Sequence, residues 1–383
     1  MTGEILRILV SGMVAGVPAH GGATWAVLQY VLGLGRLGHD VWLVEPVEQV
    51  QPESEAYFIR TMDRFGLQER AALLVEGTAE TIGVPYTRLA EAATDANVVI
   101  NIAGMLTDER LLEHAPIRVY LDLDPAFTQL WHAVEGIDMR FDGHTHFVTV
   151  GQAIGRPDCS VPTADRHWLG TLPPVSLPDW PRATEPPRLG LTTVGNWRGY
   201  GSVEHEGIHY GQRAHSMRAL LALAARSPLP IEPAIAIHAD EKPDLAALSA
   251  NGWRLHDPAE VAATPDRYQR FLQNSTGELG VSKSGYVRSR CGWFSDRSAC
   301  YLASGRPVIA QDTGFRPFLP TGLGLLAFEG VDDALAAIEA VAADYTAHCD
   351  AARELAEEHL DSDRVLQSLL ERVSSARSAE TSA

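Results

Sequence analysis

Residues 5–44 constrain the fold more than any other stretch. Residues 5–11 form an apolar, β-branched run, the loop GMVAGVPAHGG follows, and 23–37 reads as a helix that stops at Gly38 before a second buried strand at 41–44. A strand, loop, helix and strand in that order wind right-handed and place the two strands parallel in one sheet. The loop then lies at the carboxyl end of the first strand, where doubly wound sheets bind ligands. Further strand candidates at 98–102, 117–121 and 147–150, with helical stretches between them, carry this unit to about residue 180.

At 383 residues the chain exceeds the roughly 250–300 residues at which one hydrophobic core stops growing, so a second domain is expected. The stretch TLPPVSLPDWPRATEPPR, 171–188, has six prolines in eighteen residues, which disfavours helix and inner strand and marks a linker. Beyond it the alternation resumes. LGLTTVG reads as a strand, 214–225 as a helix, 231–238 as a strand, 268–273 as a short helix, 280–283 as a strand, and 296–304 as a helix feeding a strand at 307–310. From residue 332 the pattern is helical, with a break near Asp361 where Asp or Ser caps a new helix. The expected architecture is α/β, with one doubly wound domain over 1–180, a second over 185–350, and closing helices over 351–374.

The formal charge of -18 repels polyanions at long range, so nucleic acid is not an expected partner, although a local arginine cluster still suits a single phosphate group. Four scattered cysteines (Cys159, Cys291, Cys300, Cys349) carry no CxxC spacing, which fits a reducing compartment. The start MTGEILRILV is too short for a signal peptide and no uncharged run of 18 apolar residues occurs, so the expectation is a cytoplasmic protein without an integral membrane segment.

Three places carry candidate chemistry. In the loop 16–22, Gly21 and Gly22 let a ligand approach the backbone at the start of a helix whose unpaired amides favour an anion, and His20 offers an imidazole to accept a proton. The plain alternative is a tight strand-to-helix turn. The strand end IRVYLDLDP offers Asp122 or Asp124 to orient His20, while Asp124 followed by Pro125 equally reads as a helix cap. Asp142, His144 and His146 in FDGHTHF have a spacing that suits metal only with a further ligand, and none is apparent. The third place is 278–315, where Lys283, Arg288, Arg290 and Arg297 put four cations within fifteen residues and the turn CGWFSD precedes a helix. That combination suits a diphosphate; the alternative is a surface of ordinary ion pairs.

On these residues the sequence resembles the nucleotide-sugar-dependent glycosyltransferases of the GT-B fold. HGGATWAVLQYVLGLGRLGHDV is similar to their first β-loop-α unit, CGWFSDRSACYLASGRPVIAQDTG to their donor signature, and the closing helices to a tail that crosses back onto the first domain. The resemblance implies two Rossmann-like domains facing a central cleft. It also implies a nucleotide-sugar donor as cosubstrate, with no further cofactor, and a small-molecule or glycan acceptor. With cations and helix amides to meet a leaving diphosphate, and Asp122-Leu123-Asp124 lying in the first domain rather than in a donor loop, no metal is expected. The candidate catalytic residues are then His20, Asp122 and Asp124. The candidate donor contacts are Gly21, Gly22, Asn196, Arg198, Arg213, Lys283, Arg288, Ser295, Asp296, Arg297, Gln311 and Asp312. One departure is that no carboxylate follows Asp296 in the donor helix to hold ribose hydroxyls. A nucleotide-sugar epimerase of the same fold and a catalytically silent binding module are the alternatives, and a homo-oligomer is compatible with either reading.

Overall fold

The computed structural model describes residues 4–380. Its larger sheet has β1 (Arg7–Ser11) near the centre, β2 (Asp40–Val47), β3 (Ala71–Val75) and β4 (Thr81–Gly83) on one side, and β5 (Val98–Ile102), β6 (Ile117–Asp122), β7 (His146–Thr149) and β8 (Trp168–Gly170) on the other. Every adjacent pair is parallel except β3 and β4. The strands are apolar on both faces because both faces are covered. Ile8 and Val10 pack with Val27, Tyr30 and Leu34 of the helix Gly21–Arg36, while Leu9, Val44 and Val99 face Leu89 and Leu111 on the other side. The chain reverses direction across the sheet between β1 and β5. That switch point opens a crevice beside the loop that follows β1.

The second sheet repeats the plan with fewer strands. β9 (Leu189–Thr192) continues past Thr193 into β10 (Val194–Asn196), β11 (Val203–His205) and β12 (Ile208–Tyr210) form a hairpin that buries Val203 and Tyr210, and β13 (Ala234–Ala236) pairs parallel with β10. β14 (Ser275–Gly280), β15 (Val308–Gln311) and β16 (Leu325–Phe328) complete a parallel sheet in the order β16, β15, β14, β9. The fold is α/β with two doubly wound units, as the alternation of strands and helices implies.

Two local expectations are corrected. The strand expected at 280–283 lies earlier, at Ser275–Gly280, and Lys283 instead precedes the helix Ser284–Ser289. Its signal is masked by Glu278, a carboxylate in mid-strand that is tolerated because Arg297 neutralises it. The helix expected at 214–225 is broken into Arg213–Ala219 and Leu223–Arg226.

The linker and the C-terminal return run side by side. The Val175 amide donates to the Leu360 carbonyl at 2.8 Å, and the Ser362 amide donates to the Val175 carbonyl at 2.9 Å. Beyond this point the helix Ser362–Glu380 lays Leu366, Leu369 and Val373 into the first domain's core. No helix among the described residues is long and apolar enough to cross a membrane.

Candidate functional site

A cavity of about 900 Å³ lies between the two sheets. The first domain contributes Ala19, His20, Gly22 and Ala23; the second contributes β10, residues 235–238 and 255–259, Tyr268, Asp296 and Arg297. The first wall is the loop and helix start that follow β1, and the second gathers the ends of β10 and β13 with helix residues beside them.

The most charged part of the site is built by Arg297, which lines the cavity, and by Glu278 and Arg213, which stand behind that lining. Glu278 on β14 has no exposed surface and accepts from Arg297 Nε at 2.5 Å and from Thr193 Oγ1 at 3.2 Å. Arg297 stands in the first turn of the helix Asp296–Ala303, which Ser295 caps, and Arg297 Nη1 also donates to the Val194 carbonyl at 2.9 Å. Burial opposes its charge, but the adjacent Glu278 carboxylate more than restores it, so Arg297 is held above the usual guanidinium range. Arg213, at the start of the helix Arg213–Ala219, is different. It is 7% exposed, its Nε and Nη1 have no hydrogen-bond partner, and burial together with the Arg297 charge pushes it down to about 9. A Cβ on Gly195 would fall 2.4 Å from Arg213 Nη1, so glycine is what lets this guanidinium reach the backbone that lines the cavity. Glu278 holds Arg297, and Asp296 stands beside it, but no carboxylate hydrogen-bonds the buried Nε and Nη1 of Arg213, whose positive charge is left without a direct partner. An anion is the ligand that would relieve it.

At the cavity mouth His20 is exposed, and its Nδ1 lies 3.0 Å from the Pro18 carbonyl. A carbonyl only accepts, so Nδ1 carries the hydrogen and Nε2 the lone pair in the neutral ring. Neither Asp122 nor Asp124 orients it, which corrects that expectation. Asp122 is sealed inside its own domain, accepting from Thr128 Oγ1, Gln129 Nε2 and Thr149 Oγ1, each at 2.8 Å. Asp124 points to the other domain and accepts from Lys283 Nζ at 3.0 Å and from Tyr200 Oη at 2.5 Å. Nor does its side chain cap a helix: the helix Phe127–Ala133 begins after Ala126.

Of the glycine pair, Gly22 lines the cavity, and both glycines also meet the second domain. The Gly21 amide donates to the Ala262 carbonyl at 2.8 Å, so this helix start is partly closed by the second domain rather than open to a ligand. A Cβ on Gly21 would lie 2.3 Å from the Thr264 carbonyl oxygen, and one on Gly22 would lie 2.9 Å from the Tyr268 ring. Glycine is needed here for domain contact. Gly21→Ala should therefore lower the melting temperature, at a cost of about 1–3 kcal/mol for the overpacked contact. An unchanged melting temperature would show that the two domains yield at this point.

Of the other expected donor contacts, Asn196 and Asp296 line the cavity and Ser295 caps the helix behind it. Burial pushes the Asp296 carboxyl up, while Arg297 pulls it back. Arg198 instead pairs with Glu241 at 2.5 Å, Arg288 is exposed away from the cavity lining, and Lys283 is engaged by Asp124. Gln311 accepts from the Ser282 amide at 3.2 Å, and Asp312 accepts from the Gly314 amide at 2.8 Å and pairs with Arg316 at 2.9 Å. Gln311 thus ties the segment after β14 to β15, Asp312 fixes the turn after β15, and both lie outside the cavity lining. In FDGHTHF, His144 is occupied by the Phe141 carbonyl and Asn101, each at 3.1 Å.

Glu45 and Glu278 were not legible as site residues. Glu45 is wholly buried and accepts from the Ala15 and Gly16 amides at 2.7 and 2.6 Å, which shapes the loop leading to His20. The available signal in each case was a carboxylate inside an apolar strand, a costly placement unless it is paired.

No family model matches this sequence, and no curated protein matches it. Solved structures do match in fold over nearly the whole chain. An alpha-glucosyltransferase in complex with UDP-glucose and DNA containing an abasic site is 11% identical, with a TM-score of 0.62, covering 97% of this chain and 100% of that one. The fold is GT-B. HepE of Anabaena, solved with UDP and glucose, is 10% identical with a TM-score of 0.57 over 97% of this chain and 100% of its own. A glycosyltransferase of Rickettsia africae is 10% identical with a TM-score of 0.53, over 96% and 98%. At such identity the likeness is one of backbone arrangement. In a GT-B frame the cavity described above occupies the cleft between the two domains.

Proposed function

We propose that the protein transfers a glycosyl group from a nucleoside diphosphate sugar, held in the interdomain cleft by its second domain, to a small-molecule or glycan acceptor presented by its first. The observation that carries this reading is Arg213, a buried guanidinium with unpartnered Nε and Nη1 beside Arg297. A diphosphate placed against Gly195 would supply acceptors for both arginines, and it is the group on which negative charge grows as the sugar departs. Structures of the same fold that hold UDP or UDP-glucose support the choice of ligand class. DNA is disfavoured as the acceptor by the formal charge of -18.

In this reading the guanidiniums stabilise the leaving diphosphate, and the cap of the helix Asp296–Ala303 contributes peptide dipoles to the same end. His20 Nε2 is the lone pair available at the cavity mouth to take the acceptor's proton. The direct test is calorimetric titration with UDP and UDP-glucose, followed by an assay for slow release of glucose from UDP-glucose in the absence of acceptor. Binding of neither ligand would overturn the assignment. Binding without any glucose release would leave a silent binding module.

Because guanidiniums take the role that a divalent ion serves elsewhere, turnover should be independent of metal. Addition of a chelator is expected to leave the rate within about twofold of its starting value. Loss of activity that magnesium or manganese restores would refute this.

A further inference from the structure

Asp124 is bound in a way that neither catalysis nor capping explains. It comes from the first domain, after β6, yet all its side-chain partners described above belong to the second. Lys283 Nζ donates to Oδ1 and Oδ2 at 3.1 and 3.0 Å, Tyr200 Oη donates to Oδ2 at 2.5 Å, and Tyr286 Oη donates to Oδ1. Lys283 Nζ also donates to both tyrosine oxygens and lies 4.2 Å from the Tyr200 ring centroid. One ammonium and two hydroxyls converging on a carboxylate make an oxyanion site, and the oxyanion is supplied by the protein itself.

This site is continuous with the cluster beneath the cleft. The Gly285 amide donates to the Gly211 carbonyl at 2.8 Å, which sets the start of the Lys283 helix against the segment that leads into Arg213. Arg213 and Lys283 repel each other, and Arg213 also senses Tyr200 and Tyr286. Along this seam Lys283, Arg213 and Arg297 are cationic, while Asp124, Glu278 and Asp296 are the carboxylates beside them. Three cations stand against three carboxylates. If Asp124 withdrew, one positive charge would be left over behind the cleft lining, for an anionic group to answer. Withdrawal is physically open to it, because the Asp124 and Lys283 side chains keep 31% and 18% of their surface exposed.

We propose that Asp124 is a built-in competitor for the anion site: its carboxylate holds the position on Lys283, Tyr200 and Tyr286 that an anionic group of the donor takes on binding. Donor binding then breaks an ion pair between the two domains, and departure of the nucleotide re-forms it. Occupancy of the cleft is thereby coupled to how firmly the domains are clasped. This inference rests on the donor reading given above and adds to it the residue that opposes binding.

The test is calorimetric titration of the full-length protein with UDP and with inorganic pyrophosphate. Asp124→Asn removes the competing charge and is expected to bind both probes about 10-fold more tightly than wild type, the gain that follows if about one molecule in ten has the site vacant at rest. Unchanged or weaker affinity in Asp124→Asn, with wild-type binding intact and reduced in Arg213→Met, would overturn the competitor and leave the donor site standing. Binding of neither probe to either protein would remove the donor site and this proposal together. Should Asp124→Asn fail to fold, hydrogen exchange on wild type decides. Adding UDP should speed exchange in the helix Phe127–Ala133, whose Thr128 amide donates to the Asp124 carbonyl. Unchanged or slower exchange there would overturn the proposal.

Discussion

Arg213→Met should make the protein more stable and nearly blind to nucleotide. In the unliganded protein Arg213 is desolvated, leaves Nε and Nη1 unpartnered, and sits beside a second guanidinium that is already satisfied by Glu278. Removing a buried, unpaired donor recovers a cost of about 1–3 kcal/mol, and methionine fills much of the same volume. Removing the same group from an anion site forfeits charge-assisted contacts whose loss corresponds to about 100-fold in affinity for UDP. Arg297 is not equivalent, since its removal strands the fully buried Glu278 carboxylate, a far more destabilising change. Denaturation curves and UDP titration on Arg213→Met check both halves. A less stable variant would mean that Arg213 is a structural cation, and unchanged UDP affinity would remove it from the donor site.

That opposition between stability and binding also explains what was legible in the sequence. The doubly wound units are readable because β1, β2 and most of the helix Gly21–Arg36 are covered, so burial leaves a local apolar signature. The second domain is less readable at β14. There Glu278 interrupts an otherwise plausible strand, and only a partner 19 residues away makes its burial tolerable. The same nonlocality governs the site. Arg297 and Asp296 could be found from the turn and helix start around them, but the free state of Arg213 depends on where Gly195 and Arg297 lie in space. Lys283 counted as a donor cation because it clusters in sequence with Arg288, Arg290 and Arg297, while its partner, Asp124, is 159 residues distant. Gly21 and Gly22 show a further limit, because a glycine required by a ligand and a glycine required by a neighbouring domain look alike in one dimension. Here the atoms that would meet a Cβ are those of Thr264 and Tyr268.

His20→Ala is expected to lower the rate of glucose release from UDP-glucose by about 10²–10⁴-fold, the range for removal of a general base, with UDP affinity little changed. The geometry supports a base that is oriented without a carboxylate. Pro18 holds the Nδ1 hydrogen, which fixes the ring and leaves the Nε2 lone pair at the mouth of the cleft. His20 also precedes the tightly packed Gly21 contact, so the backbone carrying the ring is anchored to the second domain at Ala262 and moves with it. A base placed on such a joint reaches the acceptor hydroxyl only when the two domains are in register, so its efficiency depends on their relative position. Added imidazole should restore part of the lost rate in His20→Ala, because the cavity left by the side chain opens to solvent and the missing function is proton acceptance rather than shape. A loss below about tenfold would assign proton removal to the departing phosphate instead. A full loss that imidazole leaves unrescued would make His20 a positioning residue for the acceptor.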